Sequence, residues 1–235
     1  MLKLDSLKKK LHVNNFDSMV VLLLTFSIFL PFYASVAVVC GIAVMTMMNC
    51  KKRTKAFSSP YAKFILGFLI IPFFVSATYN NYWGMLYATS AFYVRSVMTH
   101  ELFNKSMDLS AFLSVWCALI AIYQKISAYS TAPKYRPIST FHNANCYGMM
   151  IEFIVIIAMY RIFTNPKLKN YYLAVIGINL VGLYLCASLS AFSATAFAVM
   201  VMFIMKNRYK LAVGLVAATV IFIAVGLVFP SIFPR

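Results

Sequence analysis

Eight apolar runs occupy most of this chain: Met19–Met48, Phe64–Thr78, Tyr82–Met98, Leu109–Tyr123, Ala144–Ile162, Tyr171–Ala187, Ala191–Met205 and Leu211–Phe229. Most approach the roughly 20 residues that a membrane crossing needs. Lipid offers no partner to a free backbone N–H or C=O, so each run is predicted to be helical. The expected fold is therefore all-α, a polytopic transmembrane helical bundle of about nine spans in a single domain over 1–235. Composition agrees: 63% of residues are hydrophobic and 11% charged, against about 45–50% and about 25% in an average soluble domain. A soluble globular domain, a disordered tail and a secreted disulfide scaffold are all excluded. The cysteines at 40, 50, 117, 146 and 186 are scattered, with neither metal spacing nor a disulfide framework.

The first run is unlike the others. It covers thirty residues and carries Pro31 near its middle. Lys3, Lys8, Lys9 and Lys10 precede it, and Lys51, Lys52, Arg53 and Lys55 follow it. A single crossing would put one of these clusters outside, against the bias that keeps Lys and Arg cytoplasmic. A Pro-broken pair, Met19–Leu30 and Phe32–Met48, keeps both inside. With that choice, 17 of the 21 cationic residues fall on the cytoplasmic side and only Lys125, Lys134, Arg136 and Arg235 outside. The predicted topology is N-terminus in and C-terminus out. The net charge of +16 then reports membrane orientation, with no nucleic-acid partner implied, and the basic clusters face anionic lipid. Tyr79, Tyr82, Trp83 and Tyr87 fit an interfacial aromatic belt.

The longest outer loop before the C-terminus is then about Lys125–Asn143, and it runs into Lys134–Gly148, KYRPISTFHNANCYG. Arg136 presents a planar fork of donors suited to phosphate or pyrophosphate oxygens. Thr140 adds a hydroxyl, and Asn143 and Asn145 can cap the helix starting near Ala144. That helix start aims free N–H groups and a positive dipole end outward. Two readings stand side by side: an anion-recognition site beside the headgroups, or an interfacial loop with an ordinary cap. Glu152 is the one acidic residue well inside an apolar run, seven residues after Asn145 and so about 10 Å along the same helix face. It either lines a polar cavity or pairs with Arg95, Arg161 or another polar group. The next outer turn, Ser188–Ala194, offers Ser190 and other hydroxyls for capping or ligand contact, or small residues for close helix packing. His142 lies beside the asparagines, but no second His or carboxylate stands at catalytic or metal spacing, so no catalytic base and no metal ligand is assigned.

From Arg136 to Gly148 the sequence resembles the superfamily of O-antigen ligases and O-antigen polymerases of bacterial envelopes. Its members show an Arg, then a Gly/Ser/Thr-Phe pair, then Asn-Pro-Asn opening a span. The matching residues are Arg136, Thr140-Phe141, Asn143-Ala144-Asn145 and Gly148. Ala144 replaces the Pro, and Ser139 stands where Gly is usual. The later Ser-Arg-Gly/Ser/Thr-Ala turn of the family corresponds to Ser188–Ala194, which has the serines and lacks the Arg. The resemblance extends in hydropathy over most of the chain and corresponds to the N-terminal half of such an enzyme. It implies a membrane glycosyltransferase-type protein of the bacterial plasma (inner) membrane, handling a polyprenyl-pyrophosphate-linked glycan and an acceptor glycan or lipid, without metal or cofactor. Arg136, Thr140, Asn143, Asn145, Glu152 and Ser190 would bind substrate. The family's catalytic His lies in a later outer loop, so a separately encoded C-terminal half is an implied partner and this chain is expected to be truncated. The competing expectation is a non-catalytic membrane protein: an assembly partner, a transporter half or a decayed remnant.

Overall fold

The computed structural model describes residues 15–48, 94–95 and 97–228. Every regular element among them is helical: α1 (Asn15–Ser27), α2 (Phe32–Met48), α3 (His100–Ala128), α4 (Ala144–Thr164), a 3-10 turn (Pro166–Leu168), α5 (Lys169–Cys186), α6 (Leu189–Met205) and α7 (Tyr209–Val228). Among the described residues, three stretches are long and apolar enough to cross a bilayer: His100–Ala128, Ala144–Thr164 and Pro166–Cys186. At 1.5 Å per residue, the 29 residues of α3 reach about 43 Å, longer than a hydrocarbon core of about 30 Å. The expected runs Phe64–Thr78 and most of Tyr82–Met98, the basic clusters at 8–10 and 51–55 and the aromatic group at 79–87 lie outside the described residues.

The chain divides into two compact units, 1–109 and 110–235. In the first, α1 ends at Ser27 and α2 begins at Phe32, with Pro31 between them. Proline has no N–H to give and disfavours helical geometry in the residue before it, so the break falls where the ring stands. Val20, Val21, Ile42 and Leu102 form the core of this unit. Hydroxyls here turn back on their own helix: Thr25 Oγ1 donates to Val21 O at 2.9 Å and Ser27 Oγ to Leu24 O at 2.7 Å. These bonds let polar residues sit in apolar helices without an outside partner.

The second unit packs α4 against both α5 and α6, and α6 against α7. Buried positions on α4 run Tyr147, Ile151, Ile154 and Ala158; on α5 they run Tyr172, Val175, Asn179, Leu183 and Cys186. Steps of three and four residues keep each set on one helix face. Between helices in lipid, packing and hydrogen bonds hold more than hydrophobicity does. Asn179 Nδ2 supplies both kinds of bond, donating at 2.9 Å to Ser114 Oγ on α3 and to Val175 O in its own helix. Close approach depends on two glycines. A Cβ at Gly148 would stand 2.9 Å from Ser188 Cβ and 3.0 Å from Ala191 Cβ, and one at Gly182 would overlap the Tyr147 hydroxyl. α6 closes with paired bonds, Asn207 N to Ile204 O (2.9 Å) and Arg208 N to Phe203 O (2.8 Å). Asn207 sits at φ 54°. This is the left-handed helix ending that Asn tolerates.

The Gly182–Tyr147 contact gives a coupled prediction. The Tyr147 hydroxyl is buried and has no hydrogen-bond partner among the described residues. Gly182→Ala is expected to destabilise the chain by about 1–3 kcal/mol through overpacking. Tyr147→Phe removes the obstructing oxygen and a buried, unpaired group, so alone it should leave stability unchanged or raise it. In the double variant most of the Gly182→Ala loss should disappear. Thermal unfolding of the four chains in detergent measures the cycle, and strictly additive effects would refute the contact.

Candidate functional site

The site is built at the end of the second unit where α3 stops, α4 starts and α5 turns into α6. Gln124, in the last two turns of α3, holds the intervening loop by its side-chain amide. Its Oε1 accepts from Ile138 N at 3.1 Å and Ser139 N at 2.8 Å, and its Nε2 donates to Ser139 O at 2.9 Å. Lys125 Nζ donates to Pro133 O and Tyr135 O at 2.8 and 2.9 Å, closing the earlier part of the loop. Ser139 lies at φ 55°, a left-handed conformation that costs an L-residue roughly 1–2 kcal/mol. It is fixed there by the Gln124 bonds and by Oγ donating to Cys117 O at 2.7 Å. Pro137 is fully buried beside it, and the Phe141 ring stacks on Tyr147 at 6.0 Å.

This anchoring delivers Arg136 across the mouth of the unit. Its Nε donates to Cys186 O at 2.7 Å and its Nη2 to Asn145 Oδ1 at 2.8 Å. Cys186 ends α5, so the guanidinium satisfies one of the carbonyls that a helix end leaves without an intrahelical donor, and its charge suits that negative dipole end. Two of five N–H donors are thereby used; the side chain is otherwise exposed. The α4 N-terminus lies alongside. Asn143 is its N-cap, at φ −152° and ψ 166°, with Oδ1 accepting from Cys146 N at 2.8 Å.

Of the residues singled out from the sequence, Arg136, Asn143 and Asn145 therefore come together at the mouth. Only Asn143 caps: Asn145, expected to share that role, gives its side-chain oxygen to Arg136 instead. Thr140 turns inward, 3.6 Å from Cys117 Sγ, and takes no part in the Arg136 cluster. Ser190 is exposed at the start of α6, 3.4 Å from Ser188 Oγ. Ser188 occupies the N-cap position of α6 without a side-chain capping bond. Glu152 lies about 10 Å further along α4, part-exposed, with no ion pair or hydrogen bond among the described residues. Arg161, one partner envisaged for it, is buried and donates to the Tyr172 hydroxyl at 3.3 Å. His142 is exposed on the loop. No group of three His, Cys, Asp or Glu side chains among the described residues has the arrangement of a metal site.

The residue that sequence reasoning missed is Gln124. The apolar run ends at Tyr123, but the helix continues to Ala128. An amide one residue past the run, followed by Lys125, is the signal that marks where α3 meets the loop.

The arrangement thus belongs to a helical protein with helices long and apolar enough to cross a membrane, in which a guanidinium and a helix N-terminus converge at one loop. A scan against protein-family models finds no match, and searches of curated proteins and of solved structures find no similar protein.

Proposed function

We propose that this chain is a membrane glycosyltransferase-type protein of bacterial envelope polysaccharide biosynthesis, an O-antigen ligase or polysaccharide polymerase acting at the outer face of the plasma membrane. One observation carries the reading: Arg136 is held between the α5 C-terminus and Asn145, beside the capped N-terminus of α4, with donors to spare. A pyrophosphate needs such a constellation of a planar cation and oriented N–H groups. The resemblance from Arg136 to Gly148 points to a polyprenyl-pyrophosphate-linked glycan as the donor. Ser139 adds support, since its left-handed φ of 55° is a geometry that suits the Gly usual at that position.

In the transfer, the acceptor hydroxyl oxygen bonds to the anomeric carbon of the glycan and the carbon–oxygen bond to the pyrophosphate breaks. Both bonding electrons leave with the carrier pyrophosphate, whose growing charge Arg136 and the α4 N–H groups stabilise. Asn143 fixes the helix end, and Asn145 orients the guanidinium. The acceptor proton passes to a base outside this cluster.

A second reading, a non-catalytic membrane partner, has one observation in its favour: the Ser188–Ala194 turn brings serines to the mouth and no Arg. Deleting the gene in its host separates the two. A transferase predicts accumulation of carrier-linked glycan together with loss of the finished polymer or ligated glycan, both restored by the gene. Unchanged carrier-linked and surface glycan would leave only the non-catalytic reading.

A further inference from the structure

The opposite end of the second unit carries a different kind of basic surface. There α4 passes through the turn Pro166–Leu168 into α5, and α6 turns into α7. Lys206 Nζ lies 5.8 Å from the centre of the Phe163 ring, which ties the two turns side by side. Lys167, Lys169, Lys206, Arg208 and Lys210 are all exposed on this end.

The two ends use their cations differently. At the loop end, Lys125 is taken up by two backbone carbonyls and Arg136 is held in part by Cys186 O and Asn145 Oδ1, which leaves Lys134 as the one cation there without a described acceptor. At the turn end, no described acceptor binds the side chains of Lys167, Lys169, Arg208 or Lys210. The sole carboxylate side chain in residues 110–235 is that of Glu152, well along α4. Position makes this costly for the fold alone. Lys169 is the first residue of α5, and Arg208 and Lys210 flank the first residue of α7. Cations at helix N-termini oppose the positive dipole end. Lys206, at the C-terminus of α6, and Lys167, in the last turn of the 3-10 helix, suit their dipoles; Lys169, Arg208 and Lys210 do not.

The flanking stretches Ala144–Thr164 and Pro166–Cys186 are both long and apolar enough to cross a bilayer. Their connecting turn therefore falls at headgroup depth. We propose that Lys167, Lys169, Arg208 and Lys210 form a binding surface for the phosphates of anionic lipid headgroups in the facing leaflet. The excess of cations at this end makes that leaflet the cytoplasmic one, whose surface is negative. Adjacent turns give a surface about two helices wide, fit for headgroups carrying one or two phosphates.

The test uses the full 235-residue chain, equilibrated with bicelles of equal phosphatidylglycerol and phosphatidylcholine, re-isolated, and its bound lipid quantified. The wild type should be enriched in phosphatidylglycerol, and added salt should remove the enrichment. Each cation contributes about fivefold in affinity, so Lys167→Gln, Lys169→Gln, Arg208→Gln and Lys210→Gln combined should lower the enrichment more than tenfold. Lys134→Gln, at the loop end, should leave it unchanged. The charge-preserving Lys167→Arg, Lys169→Arg and Lys210→Arg set should keep it, so a folding failure of the glutamine set does not remove the test. No lipid preference in the wild type, or undiminished enrichment in a helical glutamine variant, overturns the proposal. So does displacement by inorganic phosphate at matched ionic strength, which would mark an isolated anion pocket instead of a bilayer-facing surface.

Discussion

Arg136→Ala should abolish glycan transfer. In a gene-deleted host the variant is expected to accumulate in the membrane yet leave carrier-linked glycan untransferred, with a rate at least about 10²-fold below wild type. That factor is typical for loss of one preorganised group that stabilises a developing anion. The geometry adds a second loss, because Arg136 also holds Asn145 and the end of α5. Arg136→Lys separates the two contributions. A lysine keeps the charge near the α5 C-terminus but cannot bridge Cys186 O and Asn145 Oδ1 with a planar fork. It should therefore accumulate in the membrane as well and regain thermal stability, while recovering only a small part of the transfer rate. Asn145→Ala should resemble Arg136→Lys, since it frees one edge of the guanidinium without removing the charge. If Arg136→Ala transfers glycan at the wild-type rate, Arg136 is a helix cap and nothing more.

What could be read from the sequence here follows from the range of each interaction. Helix positions were legible because apolar runs and their punctuation are local: Pro31 marks the break between α1 and α2, and Asn143 marks the start of α4. Boundaries were less so, since α3 extends from His100 to Ala128 although its apolar run covers only Leu109–Tyr123. The polar residues beyond the run stay helical because backbone hydrogen bonding continues past the lipid-facing stretch. The vicinity of Arg136 and Asn145 was also legible, being nine residues apart across one loop. Its third member was not. The Cys186 carbonyl is 50 positions away, and a backbone oxygen leaves no trace in residue identity. Thr140 shows the converse limit. Its type and position suit a ligand contact, but the left-handed turn at Ser139 rotates it toward Cys117, and a non-glycine residue gives no warning of that turn.

That turn depends on Gln124, and Gln124→Leu should be the most destabilising single change in the second unit. Leucine fills similar volume but removes the acceptor for Ile138 N and Ser139 N and the donor for Ser139 O. A buried backbone group left without a partner costs about 1–3 kcal/mol, and Ser139 is buried. Its left-handed conformation then lacks two of the contacts that hold it in place. The expected loss is about 3 kcal/mol, with the loop released from α3 before the helices separate, because the interhelical packing of α4, α5 and α6 does not involve Gln124. Two measurements follow that order. Thermal unfolding in detergent should fall by several degrees, and tryptic cleavage after Lys134 should quicken well below the unfolding temperature. Gln124→Glu should lie between wild type and leucine: its carboxylate still accepts from both N–H groups but faces the Ser139 carbonyl without a hydrogen to offer. Ser139→Gly in the leucine background removes the left-handed cost and should recover part of the loss, less the bond from Ser139 Oγ to Cys117 O. A Gln124→Leu chain with wild-type melting and wild-type cleavage would mean that Lys125 and the buried Pro137 hold the loop by themselves, and Arg136 would then keep its place at the mouth without help from α3.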